Sequence, residues 1–253
     1  MADILKDGMN QLGFSVLEIE RLSPMMEQYI KELVLFNSAY NLVNTDDHDE
    51  IVVRHILDSF SAVSQIKKLA QDLEHIAQKA SVQDANTARL DAGALNDSGT
   101  TESGRGLIIG DIGSGGGLPG IPLASAMPEY NFVLVERMSK RCAFLENVAA
   151  ILGLKNVTVK NVEAERVPAE SIDIAVFRAF RPLDKKMIKT LLNMLPSGGK
   201  LAAYKAREDK IREEMSAINY QDGSYKVIPL MVPFLTDTND KESRERNLVV
   251  VTK

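Results

Sequence analysis

The sequence predicts an α/β fold with a mostly parallel sheet and helices on both of its faces, on three observations. From residue 107 onward, short apolar runs alternate with helical patterns, and the links between them are short, which is the layout of strand, helix and strand crossing over one sheet. The first of these runs, Leu107, Ile108, Ile109 and Ile112, passes into a loop holding Gly113, Gly115, Gly116 and Gly117 and then reaches Pro119, a residue suited to the first turn of a helix. The last two runs follow one another with no helix between them, so the sheet is expected to carry an antiparallel hairpin at one edge.

Seven strands are expected, over 107–112, 131–136, 156–160, 172–177, 200–205, 225–231 and 247–252. Helices are expected over 139–152, ended by Gly153, over 184–195 and over 208–219, with a short connection through Val162-Glu-Ala-Glu-Arg166. Before the glycine loop the pattern is helical. Leu22, Met25, Met26, Tyr29, Ile30, Leu33 and Val34 fall on one helix face, with Ser23 and Pro24 read as its cap and first turn. Val52, His55, Ile56, Ser59, Phe60 and Val63 share a face of a second helix. There Arg54 and Asp58 stand four apart on one flank, as a surface ion pair or as groups held for a substrate, and His55 reads as a packing residue. From residue 67 the pattern decays, and 81–106 is rich in Asp, Asn, Ser, Thr and Gly, a composition that buries too little apolar surface to offset its ordering entropy. The expected division is therefore a helical segment over 1–66, a polar and partly mobile insert over 67–106, and the α/β unit over 107–253.

Composition narrows the function. The chain has 253 residues, 45% of them hydrophobic, and a net charge of −5 at pH 7, enough for a packed core and unlike a protein that coats nucleic acid nonspecifically. No apolar run approaches a membrane span, and the amino-terminal residues lack the layout of a secretory signal, so a cytoplasmic location is expected. One cysteine, Cys142, and three scattered histidines make a disulfide or a metal centre unexpected. Four basic clusters stand out: Arg137, Lys140 and Arg141; Arg178 and Arg181; Lys205, Arg207, Lys210 and Arg212; and Arg244 with Arg246. Three of them follow expected strand ends.

The glycine loop carries the chemistry. Glycines tolerate positive φ and let a ligand approach without a Cβ in the way, and free N–H groups at a helix start favour an anionic or polar group. Leu118 and Pro119 stand where a phosphate-cradling loop needs Lys and Ser or Thr, and Leu118 stands where a dinucleotide fingerprint needs Gly or Ala. What remains is acid-x-Gly-x-Gly-x-Gly, met by Asp111, Gly113, Gly115 and Gly117, which resembles the cofactor loop of Rossmann-like S-adenosylmethionine-dependent methyltransferases. The apolar run from Asn131 ends in Glu136, 25 residues after Asp111, about where such a sheet places the acid that accepts ribose hydroxyls.

The whole layout resembles the glucose-inhibited division protein B family, bacterial methyltransferases of guanine N7 in small-subunit ribosomal RNA. The resemblance rests on Phe36-Asn-x-x-Tyr-Asn-Leu42, Val53-Arg-His-Ile-Leu-Asp-Ser59, Asp111 to Pro122, Glu136 with Lys140-Arg141 and Phe144-Leu145, Arg178-Ala179, Leu201-Ala-Ala-Tyr-Lys205 and Arg246-Asn-Leu-Val-Val-Val251. It implies a Rossmann-like class I methyltransferase with a seven-stranded sheet, S-adenosylmethionine as cofactor and the small-subunit 16S ribosomal RNA as partner. It also implies cofactor contacts at Gly113, Gly115, Gly117, Leu118, Glu136, Ala164, Glu165 and Arg178. Lys140, Arg141, Lys205 and Arg246 are the candidate RNA contacts, and a monomer is expected. The family's connection from Ser59 to the glycine loop is usually much shorter, and its glycine after the lysine matching Lys205 is Ala206 here.

No general base is expected. Guanine N7 has a free lone pair at neutral pH, so positioning is the main task, and that is worth roughly 7 to 11 kcal/mol at best. Phe177-Arg-Ala-Phe180 is not the Asn/Asp-Pro-Pro-aromatic motif of exocyclic-amine methylation, and Cys142 lies in an expected helix beside Phe144 and Leu145 rather than poised as a nucleophile. The alternatives are a methyltransferase of a small molecule or protein, which a more aromatic and apolar substrate face would favour, and a cofactor-binding regulatory module without catalysis.

Overall fold

The computed structural model describes residues 3–91, 106–178, 183–220, 223–235 and 245–253. The sheet has seven strands: β1 (Ile108–Ile112), β2 (Asn131–Glu136), β3 (Val157–Asn161), β4 (Ile174–Arg178), β5 (Lys200–Lys205), β6 (Tyr225–Pro229) and β7 (Asn247–Thr252). Their order is β3-β2-β1-β4-β5-β7-β6. The first five pair in parallel, and β7 pairs antiparallel with both β5 and β6. This is the Rossmann-like class I methyltransferase arrangement, with the expected edge hairpin. The order reverses at β1, so β1 and β4 diverge into their helices at opposite faces and leave a crevice above their carboxyl ends.

Alternation along the strands feeds two cores. Ile174 and Val176, Ala202 and Tyr204, and Leu248 and Val250 face one side. Ala175 and Phe177, Leu201 and Ala203, and Val249 and Val251 face the other. The second side is covered by helices α8 (Lys185–Asn193) and α9 (Glu208–Ala217), numbered in chain order. The first is covered by α6 (Gly120–Ala126) and α7 (Ser139–Ile151), and by the amino-terminal helices α1 (Ile4–Gln11) and α2 (Val16–Tyr40) with the short turns that follow them. Those turns are α3 (His48–Ile51), a π-helical stretch over Val52–Leu57 and α4 (Asp58–Phe60). Tyr29, Ile51 and Phe60 are wholly buried in the same cluster as Ile109 and Leu134, so the amino-terminal helices share the core of the sheet.

Two expectations need correction. Helix α2 begins at Val16, where Ser15 and Glu18 form a reciprocal capping box, and Pro24 lies inside it. Ser23 is not a cap: its hydroxyl donates back to the Ile19 carbonyl at 2.6 Å. The helix tolerates Pro24 within a long buried stripe of Leu22, Met26, Tyr29, Ile30 and Leu33. Helix α5 (Val63–Asp91) runs past residue 80, where the sequence pattern fades. Residues 92–105 of the expected insert, together with Ala179, Arg181 and Arg244, lie outside the described residues. Among the described residues no helix is long and apolar enough to cross a membrane.

Ser15→Ala removes the side-chain half of the capping box and should lower the unfolding free energy by about 1 kcal/mol, read as a shift of the urea midpoint at unchanged slope.

Candidate functional site

The glycine loop folds back on β2. Gly113 and Ser114 donate their N–H groups to the Val135 carbonyl at 2.8 and 3.1 Å, and Gly117 donates to Ser114 at 2.7 Å. Gly113, Gly115 and Gly117 all have positive φ, as the loop's chemistry requires. At Gly117 an added Cβ would also fall 2.7 Å from Ile121 and 2.9 Å from Leu145, and at Gly120 it would fall 2.6 Å from the Asp111 carboxylate. The loop is thus packed from behind while its front stays open. Tyr29 of α2 holds that back side by donating its hydroxyl to the Gly116 carbonyl.

In front lies a cavity of about 370 Å³ lined by Gly113, Gly115, Leu118, Glu136, Ala164 and Arg178, six of the eight expected cofactor residues. Gly117 does not line it, because it serves the packing behind the loop. Glu165 does not either: it is exposed on the one-turn helix Ala164–Arg166, and Glu163 takes the wall position instead. Leu42, Val43, Asn44, His55 and Met138 also line it, and sequence reasoning gave none of them a place in the site. The signal was present in the two amino-terminal motifs that contain Leu42 and His55, but a motif states no geometry.

Glu136 is buried at the end of β2. Its Oε2 accepts from Gly115 N–H at 3.0 Å and its Oε1 from Met138 N–H at 2.8 Å. A carboxylate offers about four acceptor positions, so two remain for ligand hydroxyls. A nucleoside-sized cavity, an open glycine loop and a carboxylate with spare acceptors suit the adenosine part of S-adenosylmethionine.

Arg178 ends β4 on the other side of the cavity. Its Nη1 donates to Asp58 Oδ2 at 2.8 Å and to the Arg54 carbonyl at 3.0 Å, and its Nη2 donates to His55 Nδ1 at 3.1 Å. Asp58 is 4% exposed. Its Oδ1 has no hydrogen-bond partner, yet Arg246 Nε stands 3.4 Å away as an ion pair without hydrogen-bond geometry. The expected Arg54–Asp58 pair does not form: Arg54 pairs with Glu50 at 3.2 Å. Asp58, just past the π-helical stretch Val52–Leu57, is instead turned inward to Arg178. His55 is more than a packing residue, since it lines the cavity and accepts from Arg178. Burial, then the nearby charges of Arg178 and Arg54, push its pKa down to about 3, so the ring is neutral.

The four candidate RNA residues differ. Lys140 is exposed and lies in the chain between the lining residues Met138 and Arg141. Arg141 lines the cavity and donates to the Tyr40 and Asn41 carbonyls at 3.4 and 2.8 Å. Lys205 pairs with Glu214 at 2.8 Å and stands over the Phe177 ring, away from the cavity lining. Arg246 sits by Asp58. A second groove continues from the cavity between Arg137, Met138, Asn161 and Arg166. Cys142 is buried, its thiol donating to the Glu136 carbonyl at 3.2 Å, and burial pushes its pKa up.

The family described as "GidB: rRNA small subunit methyltransferase G" matches residues 23–76 and 94–247. The chain belongs to that family. Residues 77–91 of the stretch it skips, 77–93, form the second half of α5 and account for much of the long connection to the glycine loop. Among curated relatives, the ribosomal RNA small subunit methyltransferase G of Treponema denticola is 37% identical, covering 99% of this chain and 94% of the relative. That of Treponema pallidum is 34% identical over 85% and 81%, and that of Cellvibrio japonicus 33% over 79% and 76%.

Two substitutions test the electrostatics. Asp58→Ala leaves the Arg178 guanidinium without its carboxylate in a mostly buried place and should destabilise the fold by about 3 to 5 kcal/mol, read by urea unfolding. Asp111 is fully buried behind the loop, its Oδ2 accepting from Gly120 N–H at 2.9 Å and its Oδ1 unpartnered, and burial raises its pKa from 3.8 to about 7. The folded state therefore holds this proton more tightly than the unfolded chain, and the resulting stability is complete below about pH 4 and lost as pH rises through about 7. Asp111→Asn cannot ionise, so its melting temperature should gain on the parent's between pH 5 and pH 8. A difference that does not change with pH would show an Asp111 that is not raised. His55 contributes with the opposite sign: its share is present above about pH 6.5 and lost as pH falls toward 3.

Proposed function

We propose that the chain methylates guanine N7 in small-subunit ribosomal RNA with S-adenosylmethionine as methyl donor. The observation that carries this reading is the joining of membership in the methyltransferase G family with a cavity that has the acceptors and open glycine loop an adenosine ligand needs. Glu136 would take the ribose hydroxyls, the loop from Gly113 to Leu118 the methionine side, and Ala164 the adenine side. Bound there, S-adenosylmethionine supplies an electrophilic methyl group. The chain's own residues then have one main task, to hold the base in line with that group, because N7 needs no proton removed. Arg178 is already engaged by three protein groups, which favours a role in shaping the wall over direct contact with a cofactor carboxylate.

The cavity mouth is polar and basic rather than aromatic. Arg137, Arg141 and Arg166 border it and its adjoining groove, and Lys140 is exposed nearby, as a polyanionic substrate requires. This favours RNA over a small apolar substrate. We propose that it acts as a monomer, and a ribosomal substrate implies work in the cytoplasm. The division we propose is a helical cover over 1–66, an insert over 67–106 and a catalytic unit over 107–253.

The deciding experiment is mapping of N7-methylguanosine in small-subunit ribosomal RNA from cells with and without the chain; identical maps would refute the assignment. Within the site, Glu136→Ala should weaken binding of S-adenosylhomocysteine by one to two decades, from the roughly 1.5 to 3 kcal/mol of a charge-assisted hydrogen bond. Calorimetry on the folded variant measures it, and an unchanged affinity would remove Glu136 from the cofactor site.

A further inference from the structure

The wall of the cavity opposite Glu136 contains one group with a fixed hydrogen-bond polarity. His55 lies in the π-helical stretch Val52–Leu57, a distortion that recurs at functional sites because it re-aims side chains out of the regular helical rows. Its Nδ1 accepts from Arg178 Nη2 at 3.1 Å. A guanidinium only donates, so Nδ1 must carry the lone pair, and a neutral ring then holds its proton on Nε2. The ring is neutral, since burial and two neighbouring arginines hold its pKa near 3. Among the described residues no protein group accepts from Nε2, and His55 lines the cavity. The result is a neutral N–H donor with no protein acceptor, set in the wall of the site.

Guanine presents two acceptors on its Hoogsteen edge, N7 and O6, whereas adenine presents N7 beside an N6 amine donor. N7 must keep its lone pair for the methyl group, so a donor that recognises guanine during transfer has only O6 to use. It should also be uncharged, because N7 becomes positive on methylation and a cation in the plane of the base would oppose that charge. Arg178 could not serve directly: it is a full charge, and it is paired with Asp58 one layer back. Both residues line the cavity, and His55 carries the donor polarity of Arg178 without its charge.

We infer that His55 is the specificity-determining residue of the site, donating from Nε2 to O6 of the target guanine and rejecting adenine-like edges at the same position. This deepens the functional reading above and rests on it.

The experiment begins with the parent chain, used to map the methylated guanosine; if no N7-methylguanosine forms, the functional reading falls and this inference with it. An RNA fragment containing the mapped position is then made with guanosine or with 2,6-diaminopurine there, which replaces O6 by an amine and keeps N7. Single-turnover methyl transfer and S-adenosylhomocysteine affinity are measured for the parent, His55→Leu and His55→Gln. The expected result is a parent that prefers guanosine roughly ten- to a hundredfold, a leucine variant that has lost the preference at near-parent cofactor affinity, and a glutamine variant in between. Glutamine can accept from Arg178 and still donate. A leucine variant that keeps the preference overturns the inference, as does one whose cofactor affinity falls in step with its rate, which would make His55 a cofactor contact. Should the leucine variant fail to fold, ¹⁵N spectra of the histidines in the parent decide the matter. Protonation on Nε2 with Nδ1 bare is required between pH 6 and 8, and the reverse tautomer or a charged ring overturns it.

Discussion

The buried ion pair between Asp58 and Arg178 is the constraint on which the site depends. It joins the end of β4 to the turns that follow α2, two parts of the chain 120 residues apart. Taking two charges out of water is costly unless each is well bonded, and here Arg178 also donates to the Arg54 carbonyl and the His55 ring. The Tyr204 hydroxyl adds a bond to the Ser59 carbonyl at 2.9 Å from β5. The end of β4, the π-helical stretch and, through Tyr204, β5 are thereby fixed relative to one another. Their common boundary is one wall of the cavity.

The opposite wall is built differently. There the glycine loop and the Glu136 carboxylate hold each other through main-chain donors, and the back of the loop is filled by Tyr29, Ile121 and Leu145. One side of the site is thus an apolar-backed main-chain structure with exposed acceptors, and the other is a charge network with a neutral face. A ligand with sugar hydroxyls suits the first, and a base with exposed acceptors suits the second. The division follows from the sheet, because β1 and β2 end on one side of the crevice and β4 on the other.

Much of this was legible in the chain itself. All seven strands were read within a few residues, because apolar runs bounded by glycine, proline and polar turns are local signals. The loop and Glu136 were legible because positive φ and a strand-end acid are also local. What failed was local evidence with two meanings. Ser23-Pro24 looks like a helix start, but the stronger Ser15-x-x-Glu18 box begins the helix about two turns earlier. Arg54 and Asp58 look like partners on one helix, but each is taken by another group, Arg54 by Glu50 and Asp58 by the distant Arg178. His55 could not be read correctly alone, since its partner Arg178 lies 123 residues away. Lys205 looked like a free cation only while Glu214 was not known to face it.

Arg141 closes the gap between the two amino-terminal and cofactor-side helices by reaching two carbonyls at the end of α2, where the helix presents its negative pole. Both acceptors are main-chain atoms, and every amino acid supplies a carbonyl. Residue 40 can therefore change without loss of its acceptor, whereas Asn41 sits at φ 49, in the left-handed region that few side chains adopt, and residue 141 must supply the donor. The tie is held by a side chain on one face and by a backbone turn on the other.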